Sequence, residues 1–247
     1  MKTTNNTILI AGGTSGIGLG LALRFHAAGN KVIVAGRRKD RLDAITAEHP
    51  GIDSLVLDID DPASIADAYE TVTQTHLDLN VLINMAGIML PEDLHTPDFL
   101  ATAESTITTN LLGPIRMLAA FIPFLTTQQE PAIINVSSGV AFVPYPLSPT
   151  YSATKAAIHF FTEVMRVQLA DTPVQVIELV PPAVRTALMG QEDSEQAMPL
   201  EDFLDETMTL LRDEPEAKEI LVENVKFLRF AEANGAYDHA LSMLSGN

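Results

Sequence analysis

The feature that most constrains the fold of this chain is a short apolar run that leads into a glycine-rich turn. Thr7–Ala11 has the composition of a buried strand, and the turn after it is Gly12-Gly13-Thr14-Ser15-Gly16-Ile17-Gly18. Apolar residues then recur at helical spacing as far as Phe25. A strand, a glycine turn and a helix in this order bring backbone N–H groups and a helix N-terminus together, where they can bind a phosphate. A glycine turn that binds nothing is the alternative interpretation.

Further apolar runs alternate with helical patterns along the rest of the chain. The other predicted strands are residues 31–35, 54–57, 81–84, 132–136, 174–180 and 219–222. Strands that alternate with helices form a parallel sheet with helices on both faces. We therefore predict an α/β protein with a doubly wound parallel sheet, in which residues 1–247 form a single domain.

A second group of residues follows the predicted strand 132–136. Tyr151 and Lys155 are four residues apart at the start of a long apolar helix, so they share one face of it. An ammonium beside a phenol favours the phenolate, which predicts a lowered pKa for Tyr151 and a role in proton transfer. Ser138, at the end of the strand, can bond the oxygen that Tyr151 protonates. A surface tyrosine packed along a lysine side chain would have the same spacing, so the pair alone is weak support.

Charged residues follow the second and third predicted strands. Arg37 and Arg38 lie where a dinucleotide-binding fold meets the adenosine ribose, and arginine there suits a 2′-phosphate rather than a 2′-hydroxyl. We therefore predict NADP as the cofactor, with NADPH preferred over NADH. Asp58 can face the adenine, whereas Asp60 and Asp61 fit turn chemistry and a helix N-cap. The alternative is that the arginines only begin a solvated helix.

The longest helical pattern covers residues 99–126 and is interrupted at Gly113-Pro114. Pro114 cannot donate the hydrogen bond that the carbonyl of Asn110 would accept, so this carbonyl is free for a water or a ligand. An ordinary kink is the alternative. This helix and the apolar helix at residues 151–170 suit a subunit interface as well as a core. We predict a homodimer or homotetramer.

The composition excludes several classes of function. A net charge of −17 argues against nucleic acid and anionic membranes as partners. The absence of cysteine excludes disulfides, thiolate metal sites and a cysteine nucleophile, and the six histidines show no shared ligand spacing, so we predict no metal. Residues 1–6 lack a signal-peptide core, and no apolar run approaches the ~20 residues of a membrane span. We expect a cytoplasmic protein.

Together these stretches resemble the short-chain dehydrogenase/reductase family, in its single-domain branch, over residues 7–222. The family's glycine motif corresponds to Gly12, Gly16 and Gly18, and its fourth-strand motif to Asn84-Met85-Ala86-Gly87. The resemblance implies a Rossmann fold with Asn110, Ser138, Tyr151 and Lys155 as catalytic residues. It also implies that Lys155 holds the nicotinamide ribose and that the Asn110 carbonyl anchors a water in a proton relay. The predicted cofactor-binding residues are Gly12, Thr14, Ser15, Gly16, Ile17, Gly18, Arg37, Arg38, Asp58, Ile59, Asn84, Ala86, Gly87, Tyr151, Lys155, Pro181, Val184 and Thr186.

Three positions depart from the family pattern. Ala11 replaces a threonine, Met85 replaces an asparagine whose side chain would brace the central sheet, and Pro182 replaces a glycine near the nicotinamide amide. The Pro181-Pro182 pair and residues 185–198 are similar to a group of reductases encoded beside lipoteichoic-acid D-alanylation genes. Residues 186–212 are predicted to cover the substrate; for the loop within them, a plain surface loop is the alternative.

The predicted function is NADP(H)-dependent interconversion of a carbonyl compound, a small-molecule ketone or aldehyde, and its alcohol, with Tyr151 as general acid and base. One alternative is a sensor that binds NADP and catalyses nothing; such a protein could lose Tyr151 or Lys155, and both are present. A second alternative is a nucleotide-sugar epimerase or dehydratase, which shares the tyrosine–lysine spacing. Those enzymes need a further substrate domain, for which 247 residues leave no room.

Overall fold

The computed structural model describes residues 1–246, and its centre is one parallel β-sheet. The seven strands of this sheet are β1 Thr7–Ala11, β2 Lys31–Gly36, β3 Ile52–Val56, β4 Val81–Asn84, β5 Ala132–Val136, β6 Gln175–Leu179 and β7 Glu219–Ile220. Their order across the sheet is β3-β2-β1-β4-β5-β6-β7. The chain moves outward from β1 in one direction and from β4 in the other, which confirms the predicted doubly wound sheet in a single domain.

Nine α-helices lie within the described residues, and most of them cover the two faces of the sheet. They are α1 Gly16–Ala27, α2 Lys39–Glu48, α3 Pro62–Thr75, α4 Phe99–Ile107, α5 Gly113–Leu125, α6 Pro149–Gln168, α7 Leu200–Asp213, α8 Glu223–Arg229 and α9 Tyr237–Leu244. Phe25 of α1 and Phe203 of α7 pack on one face, and Val72 of α3 and Phe121 of α5 pack on the other. Because helices cover both faces, β1, β4 and β5 are apolar and buried along almost their whole length.

The predicted break in the long helix is a π-helical segment, Thr108–Leu112, between α4 and α5. The N–H of Gly113 donates to the carbonyl of Thr108, five residues earlier, and Pro114 follows at once. A proline cannot donate the next bond of a regular α-helix, so the wider turn accommodates it within an otherwise continuous helical run. Asn110 lies in the middle of this wider turn.

The long helical run also qualifies one expectation from the sequence. By length and composition alone, Phe99–Leu125, a run of 27 residues, could cross a membrane, so the expectation that no run approaches this length is wrong. Its α5 part places Met117, Leu118 and Phe121 in the core between the sheet and its helices. A buried core helix passes the same test, and α5 packs as one, whereas Leu100 and Ile107 of α4 are exposed.

Several element boundaries differ from the predicted ones. β3 begins at Ile52, two residues earlier than expected, because this edge strand exposes Asp53 and Ser54 and so lacks a continuous apolar pattern. The predicted polar tail folds into α8 and α9. Ala231 and Ala240 of this region pack against Val143 in a small separate cluster, so the tail lies against the loop that follows β5.

Candidate active site

The carboxyl ends of the strands open onto two adjoining cavities, of about 440 and 400 Å³. The first extends over the glycine turn toward the ends of β2 and β3, and the second lies beside the ends of β5 and β6. They share five lining residues, which are Ile17, Met85, Gly87, Thr186 and Leu188. One elongated ligand can therefore reach from the first cavity into the second.

The glycine turn forms the floor of the first cavity, and the backbone packs too closely at Gly12 and Gly18 to allow a Cβ at either position. Gly12 has a φ of +93°, and a Cβ there would lie 2.6 Å from the backbone of Ala86. A Cβ on Gly18 would lie 2.2 Å from the carbonyl oxygen of Gly12. Glycine at these positions lets the chain pass closely over β4 and keeps the first N–H groups of α1 accessible to a phosphate.

The two arginines line the far end of the first cavity. The Nη2 group of Arg38 lies 3.1 Å from the hydroxyl of Thr14 and 3.2 Å from that of Ser15, so Arg38 bends back over the glycine turn. Arg37 extends toward Asp60, with 3.8 Å between Nη1 and Oδ2, and its side chain is 59% exposed. Arg37 therefore has more donors free for a ligand than Arg38.

Among the acidic residues after β3, Asp60 has a larger role than the sequence predicted. Asp58 lines the cavity, but its Oδ1 accepts a hydrogen bond of 3.0 Å from the N–H of Asp60. Asp61 caps α3, as predicted. Asp60 is more than a turn residue, because its Oδ2 accepts a bond of 3.0 Å from the hydroxyl of Thr109 and faces Arg37. It connects the end of β3 to the π-helical segment.

Ser138, Tyr151 and Lys155 line the second cavity together, and all three are buried. The Ser138 hydroxyl accepts a bond of 3.3 Å from the N–H of Val140, which begins a 3₁₀ turn after β5. Tyr151 and Lys155 lie one turn apart at the start of α6, and Nζ is 5.5 Å from the centre of the phenol ring. The predicted grouping of these three side chains is present in the structure.

A carboxylate that the sequence did not single out fixes the start of α6. Glu92, in the segment after β4, accepts bonds from the N–H of Thr150 at 3.1 Å and from its hydroxyl at 2.6 Å. A negative charge at a helix N-terminus is favourable. Tyr151, the next residue, is therefore held in place from outside its own helix.

Burial changes the titration of the tyrosine–lysine pair. It raises the pKa of Tyr151 to about 12, although a hydrogen bond with Ser138 acts in the opposite direction. It lowers the pKa of Lys155 to about 8, although the negative charge of Glu178 opposes this. The predicted lowering of the Tyr151 pKa is therefore wrong for this structure, because the loss of solvation outweighs the stabilisation of the phenolate.

Two predicted site residues, Asn84 and Asn110, lie behind the cavity walls. The Asn110 side chain bonds both backbone groups of Ile88, accepting from its N–H at 2.8 Å and donating to its carbonyl at 2.7 Å. It thereby fixes the segment that carries Gly87. Asn84 donates to the side chain of Asn135 at 2.9 Å within the sheet, and it does not line the first cavity.

Neighbouring residues stabilise the chain near two of the positions that depart from the family pattern. Although Met85 cannot brace the sheet, the Asn84–Asn135 pair does so, and Asn135 donates to the hydroxyl of Thr162 on α6 at 3.0 Å. Met85 itself lines both cavities. Next to Pro182, the carbonyl of Pro181 accepts a bond of 2.9 Å from the N–H of Gly139, which ties the end of β6 to the loop that carries Ser138.

The predicted cover region, residues 186–212, contributes to the walls only in its first part. Its lining residues are Thr186, Ala187, Leu188, Gln191, Ser194, Gln196 and Ala197. Arg185 closes this loop, since its Nε donates to the carbonyls of Ser194 and Ala197 at 2.9 and 3.1 Å. The second part is α7, none of whose residues lines either cavity; it packs on α1, where Leu204 lies against Gly20.

Other parts of the second cavity were not predicted. They are Met89 after β4, Tyr145 in the proline-rich loop, and Met243 and Leu244 in α9. An isolated apolar side chain has no sequence pattern that distinguishes a cavity wall from a core, and the tail approaches the site only in the folded chain. Tyr145 carried a weak signal, because it lies between two prolines directly before the helix of Tyr151.

A buried charged cluster lies beneath the second cavity. Glu178, in β6, is fully buried; its Oε1 accepts a bond of 2.5 Å from the Ser137 hydroxyl, and its Oε2 lies 2.9 Å from Nδ1 of His159. The bond with Glu178 raises the pKa of His159. The sequence did contain a signal for this cluster, since an acid inside an apolar strand needs a buried partner.

Glu219 of β7 lies beside this cluster, and His159, Glu178 and Glu219 offer ligand atoms within 4.8 Å of one another. The spacing of the histidines in the sequence gave no sign of this group. Arg229 already bonds Glu219, with its Nε and Nη2 at 2.9 and 3.1 Å from the two carboxylate oxygens. Because protein donors already bond both carboxylates, we assign no metal ion to the cluster.

Comparison with known proteins agrees with this geometry. The family model described as short chain dehydrogenase matches residues 6–197. The uncharacterized oxidoreductase DltE of Bacillus subtilis (strain 168) is 41% identical over 200 residues, which are 80% of this chain and 79% of that protein. The NADP-dependent 3-hydroxy acid dehydrogenase of Schizosaccharomyces pombe (strain 972 / ATCC 24843) is 33% identical over 191 residues, 75% of this chain and 74% of that protein.

A solved structure extends the comparison to the whole fold. A short chain dehydrogenase from Burkholderia cenocepacia J2315 in complex with NADP matches this chain with a TM-score of 0.82 at 26% identity, over 98% of both chains. The similarity to the Bacillus protein confirms that the chain resembles a DltE-type oxidoreductase. The family match, the strand order and the glycine turn agree, and this chain belongs to the short chain dehydrogenase family of oxidoreductases.

Proposed function

We propose that this protein is an NADP(H)-dependent oxidoreductase that interconverts a ketone or aldehyde and the corresponding alcohol. The observation that carries this proposal is the grouping of Ser138, Tyr151 and Lys155 in one buried wall beside a cavity suited to a dinucleotide. A hydroxyl, a phenol and an ammonium can together bind a carbonyl oxygen, give it a proton and balance the charge left behind.

In the proposed reaction, the bound nicotinamide supplies the hydride. The hydroxyls of Ser138 and Tyr151 bind the carbonyl oxygen, and Tyr151 gives it a proton. The phenolate that remains is unfavourable in so buried a place, as the Tyr151 pKa of about 12 indicates. With a pKa of about 8, Lys155 keeps most of its protons at neutral pH and offsets this charge. We also propose that a water bound to the Asn110 carbonyl belongs to the relay that returns a proton to Tyr151.

The first cavity suits a cofactor that carries a 2′-phosphate. The glycine turn keeps backbone N–H groups open for the pyrophosphate, and Arg37 and Arg38 lie where the ribose phosphate would bind. This choice is supported by the yeast relative, an NADP-dependent dehydrogenase, and by the Burkholderia structure, which is a complex with NADP. The further residues proposed to contact the cofactor are Thr14, Ser15, Ile17, Asp58, Ile59, Ala86, Gly87, Lys155, Pro181, Val184 and Thr186.

A homo-oligomer is part of the proposal. One side of α6 exposes Phe160, Val164 and Val167, at 65, 52 and 77%. Ile107 of α4 and Leu112 of the π-helical segment are each 40% exposed. Apolar residues grouped in this way suit contact with a second copy of the chain, as a homodimer or homotetramer.

The test of the proposed function is oxidation of NADPH in the presence of a panel of ketones and aldehydes, followed by the absorbance of NADPH. We expect turnover of at least one compound, with the alcohol as product. A calorimetric titration with NADPH is run beside it, because the competing proposal is a sensor that binds the cofactor and catalyses nothing. Binding of NADPH without turnover across the whole panel would favour the sensor.

A further inference from the structure

Glu178 is unusual among the described residues because its carboxylate is fully buried beneath the proposed active site. Burying a carboxylate is costly unless partners bond it. Its partners are the Ser137 hydroxyl at 2.5 Å and Nδ1 of His159 at 2.9 Å, and Nη2 of Arg166 lies 3.8 Å away. The reaction described above uses none of these groups, so the carboxylate needs another explanation.

The position of this carboxylate connects it with Lys155. The ammonium of Lys155 donates a bond of 2.8 Å to the carbonyl of Val136, and Ser137, which holds Glu178, is the next residue. His159 lies one turn after Lys155 on α6 and holds the same carboxylate. The two partners of Glu178 are therefore close to the lysine along the chain: Ser137 directly follows Val136, whose carbonyl the lysine bonds, and His159 lies one helical turn after the lysine on α6.

We propose that Glu178 is a positioning residue, whose buried carboxylate, held by Ser137 and His159, supplies the negative charge that keeps Lys155 an ammonium. Lys155 is 5% exposed, too little for water to stabilise its charge. The Val136 carbonyl provides a partial negative charge, and Glu178 provides a full one. The negative charge of Glu178 does oppose the effect of burial on the pKa of Lys155.

Other charged groups face this carboxylate and must be counted. From α6 come His159 and Arg166, and Glu163 lies 3.9 Å from Nε2 of His159. From β7 comes Glu219, which Arg229 of α8 bonds. A protonated His159 would reduce the effect of the Glu178 charge on Lys155. The charges of Glu178 and of a protonated His159 therefore act on the lysine with opposite sign.

Because the two charges act in opposite directions, variants of Glu178 and His159 can distinguish an effect of charge on Lys155 from an effect of lost packing. Glu178→Gln keeps the shape and the acceptor for Ser137 but removes the charge, so the pKa of Lys155 should fall by at least about 1. His159→Gln removes a positive charge and should not lower that pKa. Loss of packing in the same cluster would move the pKa in the same direction in both variants.

The measurement is a pH titration of the protein labelled with ¹³C at the lysine Cε, observed by NMR, with Lys155→Met to assign the signal. It needs neither NADPH nor a substrate. The inference rests on the proposed function only for its activity readout, which is the alkaline limb of NADPH-dependent reduction. Failure to find any turnover would contradict the proposed function and leave the titration to judge Glu178.

The matched control is Glu163→Gln, the same chemical change at a carboxylate that is 49% exposed, which should leave the Lys155 titration where it is. Glu178→Asp, which keeps the charge, should retain most of the wild-type value. An unchanged titration in Glu178→Gln overturns the proposal, and so does an equal fall in Glu178→Gln and His159→Gln. If Glu178→Gln does not fold, His159→Gln decides: a Lys155 pKa that stays or rises supports the proposal, and a fall overturns it.

Discussion

The ammonium of Lys155 donates a hydrogen bond of 2.8 Å to the carbonyl oxygen of Val136, the last residue of β5. Ser138 follows two residues later, so the lysine on α6 is fastened to the strand that delivers the serine. A buried ammonium held in this way limits the relative movement of strand and helix. This arrangement costs folding free energy, because the ammonium is buried where water does not solvate it.

This cost predicts that Lys155→Met stabilises the protein at neutral pH. The Lys155 pKa is lowered from 10.5 to about 8, so between these values the unfolded chain binds more protons and stability rises with pH. Below pH 8 the full penalty of about 3 kcal/mol is present, less about 1 kcal/mol for the hydrogen bond that methionine cannot make. Urea unfolding should show the variant more stable by about 2 kcal/mol at pH 7, with the difference shrinking toward pH 10. Lys39→Met, which removes an exposed lysine, is the control; a less stable Lys155→Met at pH 7 would contradict the expectation.

Tyr151→Phe should reduce kcat by at least about 100-fold, because the proposed proton donor is lost while the ring remains. NADPH affinity should stay within about twofold, measured by calorimetry. Tyr145→Phe is the matched control, since it removes a hydroxyl from the wall of the same cavity and should keep most of the activity. A Tyr151→Phe enzyme that retains more than a few per cent of the rate would remove this residue from the mechanism.

Arg37→Asp should reverse part of the cofactor preference. Arg37 is exposed and only loosely paired with Asp60, so its donors are available to a 2′-phosphate. We expect the ratio of kcat/KM for NADPH over NADH to fall by at least about tenfold, or 1.4 kcal/mol. Arg41→Asp makes the same change of charge on α2 outside the cavity and should leave the ratio unaltered. A wild-type preference for NADH would show that the arginines only begin a solvated helix.

The second cavity predicts a preference for uncharged substrates. Among the described residues that line it, Lys155 is the only one with an ionisable group apart from the tyrosines, and the Val136 carbonyl already bonds it. A substrate carboxylate would lose its water there without gaining a partner. Ethyl 3-oxobutanoate should therefore exceed 3-oxobutanoate in kcat/KM by at least about tenfold. Gln191→Arg should move the ratio toward the acid, and a wild-type preference for the acid would refute the expectation.

The exposed face of α6 predicts the oligomeric state. Introducing a charge there, as in Val164→Glu, should bury an unpaired carboxylate in a subunit contact and favour smaller species. Light scattering coupled to size exclusion should show an oligomer for the wild type at micromolar concentration and a shift toward monomer for the variant. Phe227→Glu, at a residue that is 42% exposed on α8, is the control. A monomeric wild type would end this proposal.

The elements that the sequence predicted well are those whose pattern is local. β1 and the glycine turn are adjacent in the chain, and a fully buried strand must be apolar, so both could be read directly. Tyr151 and Lys155 share a helix face because of their spacing. Ser138 was predicted from its place at the end of β5, since the carboxyl ends of parallel strands meet at one edge of the sheet.

The features that escaped prediction depend on contacts between distant segments. Nothing near Glu92 indicates that it holds Thr150, and nothing near Met243 indicates that it reaches the second cavity. The direction of the Tyr151 pKa was missed for a related reason: the spacing to Lys155 is visible in the sequence, but the burial that outweighs it depends on the whole fold.

The wall formed by Met243 and Leu244 comes from a part of the chain beyond residues 6–197, which match the family model, whereas Ser138, Tyr151 and Lys155 lie inside them. The proposed reacting groups and this side of the second cavity therefore come from separate parts of the chain. Replacing the tail would change one side of the cavity and leave Ser138, Tyr151 and Lys155 in place. Gly139 restricts such an exchange, because a Cβ there would lie 2.9 Å from Cδ1 of Leu228, so the side chain at position 228 of a grafted α8 must fit closely against it. A library that grafts α8 and α9 of relatives onto this chain would sample new substrates while every member keeps one reaction.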